Sequence, residues 1–344
     1  MDLSFDMVSS AKPLVSTVVP SLDGLGLLPA CLDSLTAPTY RNIEVIVVDN
    51  RSSDGSGLYV QQKYLWVRVT ITETNLGYSG GCNLGAASSA GKNVLFLSNH
   101  TMVTPTFLES RVSNMQSDRR LGVAQSLMMS SESPDVTDSA GSFFTMTGIL
   151  LHMKGKLNGR HPSSPTDIFS AQGACMLIRR SLFERLEGFD EDFVVYFEDT
   201  DLCWRAWLLG YKVRLIPFSL IFHSSGRTTS KSGHGYIAYH TFKNRLCSLI
   251  KNLSLKDLLI VLPMHLAICL GGSLAFFANG KPASSAAILR AMGWNIFNLR
   301  RTLKKRRIMT SLATVERGRL FPKLARPMPL RYLLAESIGY VRNW

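Results

Sequence analysis

Residues 188–205 read GFDEDFVVYFEDTDLCWR and hold six carboxylates among aromatic and aliphatic side chains. Carboxylates beside apolar groups are partly desolvated, which raises their pKa and suits a general base. A helix is predicted to begin near Glu198 and to continue through Leu208, with acids in its first turn, where the helix dipole favours negative charge. The alternative interpretation is an acidic N-terminal cap on a surface helix, and spacing alone does not separate the two.

Ordered motifs flank this stretch. Residues 173–180 read GACMLIRR, and residues 210–213 read GYKV, followed by Pro217 and His223. Together these motifs resemble the acceptor-side signature of the inverting family-2 glycosyltransferases of GT-A fold. The likeness is strongest to the rhamnosyltransferase-like branch, which builds bacterial surface polysaccharides. The resemblance implies that Asp199 is the catalytic base and that Glu198 orients the acceptor, and the sequence leaves an exchange of these two roles open. Asp201 and Arg205 are expected to pair and to fix the helix.

Apolar runs alternate with helical patterns along the first half of the chain. Buried strands are predicted at residues 14–20, 43–49, 67–71 and 93–97, and a helix at 25–35. This alternation predicts an α/β fold with a mostly parallel sheet and helices on both faces. Polar residues follow three of the strands, so a nucleotide site is expected beyond their carboxyl ends. No G-x-G-x-x-G follows the first strand, which counts against a dinucleotide-binding domain.

Three motifs in this half are similar to the donor-site motifs of the same family: VVP at 18–20, VDNRSSDG at 48–55 and NLGYSGGCNLG at 75–85. The resemblance implies a set of nucleotide-sugar-binding residues: Pro20, Asp23, Asp49, Ser52, Gly77, Gly80, Asn83 and Arg227. In that family the equivalents of Pro20, Asp23 and Asp49 hold the base and ribose. The glycines let the backbone approach the ligand, and Asn83 is expected to brace the loop.

Residues 96–101, FLSNHT, depart from the family pattern, which has an Asp where His100 stands. That Asp normally binds a divalent cation, Mn²⁺ or Mg²⁺, at the donor diphosphate. Three interpretations stay open. His100 ligates a metal, which Mn²⁺ tolerates better than Mg²⁺; or it is protonated and offsets the diphosphate charge itself; or the donor site is impaired. His223 matches a family histidine that completes the metal or diphosphate site.

Two segments lack clear periodicity. Residues 130–169 are rich in Ser, Gly, Pro and Thr. The resemblance implies that they form the family's variable loop beside the acceptor, and we expect that loop to be partly mobile. Residues 224–235 are interpreted either as a lid that closes over the diphosphate, with Arg227 and Lys231 supplying charge, or as a solvated loop.

Composition limits the remaining classes. Six cysteines at irregular spacings, without a Cys-x-x-Cys pair, count against zinc and a disulfide framework and suit a reducing cytosol. The first 12 residues have no apolar core segment, so no secretory signal is expected. Residues 281–344 hold fourteen Lys/Arg and two Asp/Glu, so +12 of the net charge of +13 lies there. No nucleic-acid-binding motif accompanies this tail, so an anionic membrane is the favoured partner and nucleic acid is not expected.

Residues 239–252 are predicted to form an amphipathic helix with basic residues beside its apolar face. Residues 258–278 contain no charged side chain and have about the 20-residue length that crosses a bilayer. Pro263 and Gly271–Gly272 interrupt this segment, and one crossing would place the basic tail on the wrong side. We therefore expect a re-entrant hairpin or in-plane helices on the cytoplasmic face of the membrane. Six side chains would contact anionic head groups: Arg300, Arg301, Lys304, Lys305, Arg306 and Arg307. Alternatively, 258–278 buries against the catalytic domain or a second copy in a homo-oligomer.

These observations predict a GT-A catalytic domain at 1–235, with a donor half to about 128 and an acceptor half at 129–235, followed by a helical membrane-association region at 236–344. The expected function is inverting transfer of a sugar, rhamnose by resemblance, from a nucleotide diphosphate-sugar to a hydroxyl of a lipid-linked glycan. Two alternatives stay open: an impaired sugar-nucleotide-binding partner of an assembly complex, or a nucleotidyltransferase. The latter would ordinarily carry a basic phosphate-binding loop where residues 21–25 read SLDGL.

Overall fold

The computed structural model describes residues 12–156, 162–224 and 233–327. Strands in these ranges are β1 Val15–Ser21, β2 Ile43–Asp49, β3 Val67–Ile71, β4 Asn93–Leu97, β5 Thr101–Val103, β6 Leu121–Ser130, β7 Thr137–Ser139, β8 Ser142–Thr145, β9 Leu150–His152, β10 Thr166–Asp167, β11 Cys175–Arg179, β12 Lys212–His223 and β13 Ala325–Arg326. Helices are α1 Leu28–Ser34, α2 Ser56–Lys63, α3 Gly77–Ala87, α4 Glu109–Ser117, α5 Arg180–Arg185, α6 Glu198–Leu208, α7 His234–Asn252, α8 Leu255–Ala278, α9 Pro282–Phe297, α10 Leu299–Leu312 and α11 Arg317–Leu324, with a 3₁₀ turn at Glu191–Phe193.

The main sheet runs in the order β10-β12-β6-β11-β4-β1-β2-β3, with β5 on β12 and β7 on β6. β3, β2, β1 and β4 are parallel neighbours, β12 is parallel to β6, and β11 is antiparallel to both β4 and β6. The predicted mostly parallel α/β sheet is confirmed. Ser21 lies opposite Asp49, and Asp49 opposite Ile71, so the ends of β1, β2 and β3 meet at one edge.

Both faces of the sheet are covered. Val18 and Val48 face one core, whereas Val19 and Val47 face the other, because successive side chains of a strand point to opposite faces. This explains why β1 and β2 read as continuous apolar runs rather than alternating ones. α3 comes very close to the sheet at Gly85, where a Cβ atom would lie 2.3 Å from a methyl carbon of Val18. A glycine is therefore required there.

Part of the segment expected to be an irregular loop is folded. β7, β8, β9 and β10 lie within residues 130–169, and β8 pairs with β9 and β13 in a second sheet. Phe144 and Leu150 are buried in the same core as Val18. The loop prediction was wrong for these strands because each is only two to four residues long, too short to show an alternating pattern.

The C-terminal helices pack on the catalytic half. α7 contributes Cys247 and Leu249 to the core of the main sheet, and Phe242 and Leu246 to a third core with α8 and α9. The domain boundary at 235 stays a prediction, although the helix that follows it shares a core with what precedes it. α7 was expected to lie on a membrane; instead both its apolar and its polar side chains are buried in protein, including Lys243 and Lys251.

α8 is one continuous helix, so the hairpin expected within 258–278 is wrong. Pro263 lies inside this helix and removes only the hydrogen bond to the carbonyl of Leu259, so the helix continues past it. One stripe of α8 is buried: Val261, His265, Cys269, Ser273 and Phe276. In the described part of the chain, α8 is the helix with the length and apolar composition to cross a membrane.

Candidate active site

The predicted donor residues Asp23, Asp49 and Ser52 lie together beyond β1 and β2. Asp49 Oδ1 accepts a hydrogen bond from the Ser52 amide at 2.7 Å, and the Asp23 amide donates to Ser52 Oγ at 2.9 Å. Asp23 has a φ of +49° and accepts from the amide of Ser53 at 2.7 Å. These contacts join the loops after β1 and β2 into one surface. Pro20 is buried within β1, opposite Val48.

The glycine-rich loop contacts the acceptor half. Gly77 has a φ of +69°, and a Cβ atom there would lie 2.7 Å from the carbonyl oxygen of Val194. The Ser79 amide donates to that same oxygen at 3.0 Å. At Gly80, a Cβ atom would meet Leu76 at 2.9 Å. Gly77 therefore permits close contact between two protein segments, and Gly80 leaves room for Leu76 one turn earlier in its own segment. Contact of either glycine with a ligand stays a prediction.

Asn83 links α3 to the acidic stretch. Its amide donates to the Phe189 carbonyl at 3.0 Å and its Oδ1 accepts from the Phe189 amide at 2.9 Å. It also donates to Glu191 Oε1 at 3.0 Å. The Asn83 side chain thus holds residues 189–191 against α3.

The two candidate catalytic carboxylates lie at the N-terminal end of α6, where the sequence placed them. Asp199 Oδ2 accepts from the Gly173 amide at 2.8 Å, and Asp199 Oδ1 accepts from the Thr200 amide at 2.6 Å. Glu198 is 6% exposed, and its Oε2 is enclosed without a hydrogen-bond partner among the described residues. α6 is buried along almost its whole length, so it is not a surface helix with an acidic cap.

The pKa values of this pair are perturbed in different degrees. Burial is the largest effect and raises the pKa of both carboxyls. For Glu198 the charge of Asp199 raises the pKa further, whereas hydrogen bonds from Gly173 and Thr200 lower that of Asp199. Asp199 therefore ionises first, and Glu198 keeps its proton to higher pH. A buried pair divided in this way supplies one base and one hydrogen-bond donor.

The peptide at 173–174 connects the base to the donor side. Beyond the Gly173 amide, its carbonyl accepts from the Tyr78 hydroxyl at 2.7 Å. The Ala174 carbonyl accepts from the Ser98 amide at 2.9 Å, directly after β4. The ends of α3, α6 and β4 thus meet at one backbone segment.

The sequence did not reveal Asn244, which holds the loop before Glu198. Val194, Tyr196 and Phe197 have φ values of +59°, +67° and +69°, a conformation that is costly for residues with a side chain. The Asn244 side-chain nitrogen donates to the carbonyls of residues 193, 195 and 196 at 2.9, 2.9 and 2.6 Å. The remaining carbonyls of the loop, at 194 and 197, accept from Ser79 and from within α6.

A buried ionic network fixes α6. Arg205 Nε donates to Asp201 Oδ2 at 2.8 Å, which confirms the predicted pair. Lys251 lies 2.8 Å from the same oxygen and 2.7 Å from Asp190 Oδ2. Burial alone would raise the pKa of Asp190 and Asp201, but the adjacent cations outweigh it and hold both below their usual values.

Part of the basic tail belongs to this network, contrary to the expectation that it contacts head groups. Lys305 pairs with Asp190 and Asp192, and Arg301 pairs with Asp192. Arg306 donates to a backbone carbonyl of α7 at 2.6 Å. These three cations therefore bind carboxylates or a carbonyl of the protein itself. Four of the six basic residues at 300–307 are exposed: Arg301, which pairs with Asp192, and Arg300, Lys304 and Arg307.

The structure brings the two predicted metal-site histidines together. Thr101 pairs with His223 in the sheet, and the His100 and His223 ring centroids lie 4.7 Å apart. His223 Nδ1 lies 2.7 Å from Asp138 Oδ2, and His100 Nδ1 lies 2.9 Å from Asn99 Oδ1. Metal-ligating imidazoles are typically oriented by such a carboxylate or carbonyl on the other nitrogen. Sequence reasoning missed Asp138, because no motif surrounds it.

The side chains around His100 and His223 fit a divalent cation only in part. Within the described ranges, no group of three or more His, Cys, Asp or Glu side chains is arranged to hold a metal. Two imidazoles would hold Mn²⁺ better than Mg²⁺ and would leave its other positions to water or diphosphate oxygens. Arg227 and Lys231, predicted to cover the diphosphate, lie outside the described residues. All six cysteines are free and buried.

The structure thus combines a mostly parallel sheet, polar residues beyond β1 and β2, and a buried carboxylate pair at the N-terminal end of α6. Residues 16–187, half of the chain, match the family model described as Glycosyl transferase family 2. The chain belongs to that family, and the resemblance seen in its sequence is confirmed.

Individual relatives agree with this assignment. The chain is 32% identical to the O-antigen biosynthesis protein RfbC of Myxococcus xanthus over 213 residues, 58% of this chain and 16% of that protein. It is 26% identical to the N-acetylglucosaminyl-diphospho-decaprenol L-rhamnosyltransferase of Mycobacterium tuberculosis over 231 residues, 61% and 75% of the two chains. The mannosyltransferase PcManGT of Pyrobaculum calidifontis, solved with GDP-Man and Mn²⁺, aligns with 97% of this chain and 88% of its own at a TM-score of 0.53 and 16% identity. The fold is GT-A.

Proposed function

We propose that this protein is an inverting glycosyltransferase that moves a sugar from a nucleotide diphosphate-sugar to a hydroxyl of a lipid-linked glycan. Asp199 takes the hydroxyl proton as that oxygen attacks the anomeric carbon on the face opposite the diphosphate. One displacement inverts the anomeric configuration. Glu198, which keeps its proton, donates a hydrogen bond that orients the acceptor. The observation that carries the proposal is the Gly173–Ala174 peptide, which bonds Asp199 on one side and the end of β4 on the other.

The leaving diphosphate needs positive charge. His100 and His223 are the residues that would hold a divalent cation, which when bound neutralises the departing phosphate oxygens. Asp138 orients His223 for this role through Nδ1. Protonated imidazoles provide the same charge without metal. The Mn²⁺ in the structure of the mannosyltransferase relative supports the first route.

Rhamnose is the proposed sugar, and a lipid diphosphate-linked glycan the proposed acceptor. The support is the likeness to a protein named for rhamnosyl transfer to a diphospho-decaprenol acceptor. The nucleotide is proposed to be thymidine diphosphate.

The test is incubation of the purified chain with a panel of nucleotide sugars and lipid-linked acceptors, with and without Mn²⁺. We expect acceptor-dependent release of nucleoside diphosphate and a product whose anomeric configuration, read by NMR, is inverted. A product with retained configuration would contradict the base assigned to Asp199.

A second candidate function follows from His100 standing where the family has an Asp. In this alternative the chain binds a nucleotide sugar within a polysaccharide assembly complex without transferring the sugar. Calorimetry separates the two. Binding of a nucleotide sugar with no diphosphate release in any acceptor mixture favours the binding role, and restored release in His100→Asp would show that this position alone blocks transfer.

Association with the cytoplasmic face of an anionic membrane is also proposed, with α8 lying in the plane of one leaflet. Its unburied side carries Leu259, Leu270 and Leu274, which are 78%, 48% and 71% exposed. The exposed cations Arg300, Lys304 and Arg307 on α10 supply charge for acidic head groups, on the order of 1 kcal/mol each. The proposed surface therefore predicts membrane binding with an apolar component and a salt-sensitive component.

Sedimentation with vesicles tests the surface. We expect binding to phosphatidylglycerol vesicles that weakens with salt and weakens further in the triple variant Arg300→Gln, Lys304→Gln, Arg307→Gln. Leu259→Ser with Leu274→Ser is expected to weaken binding at every salt concentration. Equal binding of wild type and both variants would refute the surface, and concentration-dependent dimerisation lost in the Leu variant would assign it to a homo-oligomer.

A further inference from the structure

Arg245 differs from the other cations that the C-terminal helices place near residues 190–197. Lys243, Lys251 and Lys305 each donate to a carbonyl or carboxylate. The Arg245 guanidinium makes no ion pair or hydrogen bond with any residue in the described ranges, and its Nε is enclosed. A guanidinium carries five N–H donors, and leaving such donors unpaired in a partly buried site is costly.

Two aromatic rings and the imidazoles of His152 and His265 lie near Arg245. Its central carbon lies 5.8 Å from the Phe197 ring centroid and 5.7 Å from that of Phe242. His265 of α8 is fully buried; burial first, and then the charge of Arg245, lower the pKa of that imidazole to about 3. His265 is therefore neutral at physiological pH and adds no charge of its own beside Arg245.

The position of Arg245 relates it to both ends of a lipid-linked acceptor. Phe197, under its guanidinium, immediately precedes Glu198 and Asp199. Phe242, three residues before Arg245 on α7, packs in the core of α7, α8 and α9 with Cys269 of α8. Arg245 thus lies beside the residue that precedes the carboxylate pair and beside the core that α7 shares with α8, whose outer side is apolar.

We propose that Arg245 binds the phosphate of a lipid-linked acceptor, with the apolar chain of that acceptor on α8 and its sugar directed to Asp199. This proposal rests on the transferase function proposed above. Guanidinium binds phosphate through two parallel hydrogen bonds, and phosphate supplies the acceptors that the guanidinium lacks in the described structure. The head group of a membrane phospholipid has the same phosphate chemistry, so the experiment separates the two sources.

Two acceptors that share a sugar and differ in charge provide the test: the sugar on a short prenyl diphosphate, and the same sugar as an uncharged alkyl glycoside. Arg245→Gln is expected to raise KM for the diphosphate acceptor roughly 10- to 100-fold, the effect of losing charge-assisted hydrogen bonds. KM for the alkyl glycoside and for the donor should stay within about twofold. Arg245→Lys should recover part of the loss, since it restores charge without the fork.

Arg290→Gln is the matched control, because Arg290 also lies over a ring, 5.9 Å from the Tyr239 centroid, but is exposed on α9. It should leave both acceptors unaffected. An equal rise of KM for both acceptors in Arg245→Gln, or no rise for either, would overturn the proposal. Loss of binding to phosphatidylglycerol vesicles without a change in KM would also overturn it, and would assign Arg245 to membrane phospholipid.

Binding without turnover separates this proposal from the proposed function. Farnesyl diphosphate, titrated calorimetrically in the absence of donor, should bind wild type and Arg290→Gln at least tenfold more tightly than Arg245→Gln. That result would support the phosphate site even if no sugar were transferred. Equal binding by all three proteins would refute it even if transfer occurred.

Discussion

Replacing Asn244 by Ala is expected to impair transfer although Asn244 touches no substrate. The side chain is fully buried and donates to three carbonyls of the loop at 193–197. That loop leads directly into Glu198 and Asp199. Because the clamp holds the loop in an unfavourable backbone conformation, its removal frees the loop to move and misplaces the base.

The structure gives the size of the effect. Three residues of the loop with side chains have positive φ, at about 1–2 kcal/mol each, so the clamp holds roughly 3–6 kcal/mol of strain. If the loop in the Ala variant relaxes by about 3 kcal/mol, the competent conformation falls roughly 100-fold. We expect kcat to fall by that order, whereas the Kd of the nucleotide sugar stays within about threefold, since the carbonyls that Asn244 binds, at 193, 195 and 196, are not among the predicted donor residues.

The assay is nucleoside diphosphate release at saturating donor and acceptor, with the donor Kd from calorimetry. Asn295→Ala is the matched control: Asn295 is also buried and donates to two carbonyls, at Lys243 and Ala291, but neither belongs to the loop. It should lower stability without lowering kcat. A folded Asn244→Ala protein with kcat within threefold of wild type would refute the reasoning.

Three further predictions concern stability and metal binding. Lys251→Met leaves Asp190 and Asp201 buried beside fewer cations and should lower the free energy of unfolding by about 3 kcal/mol at pH 7. Because the pKa values of both carboxyls are lowered in the folded state, this difference from wild type should shrink as pH falls below about 4. Denaturant unfolding at pH 7 and below pH 4 checks this, with Lys212→Met, at a partly exposed position, as control. Glu198→Gln should melt at a higher temperature than wild type at pH 7 and at the same temperature near pH 4, because the raised pKa of Glu198 makes its ionisation costly above about 4.3, its unfolded value; an equal gain at both pH values would contradict this. Asp138→Asn should weaken Mn²⁺ binding about 10- to 100-fold by calorimetry, since Asp138 orients His223; unchanged affinity would remove His223 as a ligand.

The catalytic half could be predicted from sequence because its signals are local. Apolar runs gave β2, β3 and β4 at the residues where the structure has them, and the acids placed the start of α6 at Glu198. Pairing of Asp201 with Arg205 followed from their four-residue spacing on a helix. Such patterns depend only on neighbours along the chain.

The contacts that position the site could not be predicted, because they join residues distant in sequence. α7 was interpreted by its apolar face and its basic residues. Its polar residues also recur at helical spacing: Thr241, Asn244, Ser248, Lys251 and Asn252. All are buried, and the last four face the acidic stretch. From the sequence alone, a polar stripe on a helix is equally consistent with a solvent-exposed face and with a face buried against polar partners.

The base at position 199 is the central claim, and Asp199→Asn tests it most directly. The substitution keeps the shape of the side chain and removes the proton acceptor. Acceptor-dependent release of nucleoside diphosphate should fall at least 1000-fold, while calorimetry finds the nucleotide sugar bound within a few-fold of wild-type affinity. Turnover by this variant at the wild-type rate would contradict the account.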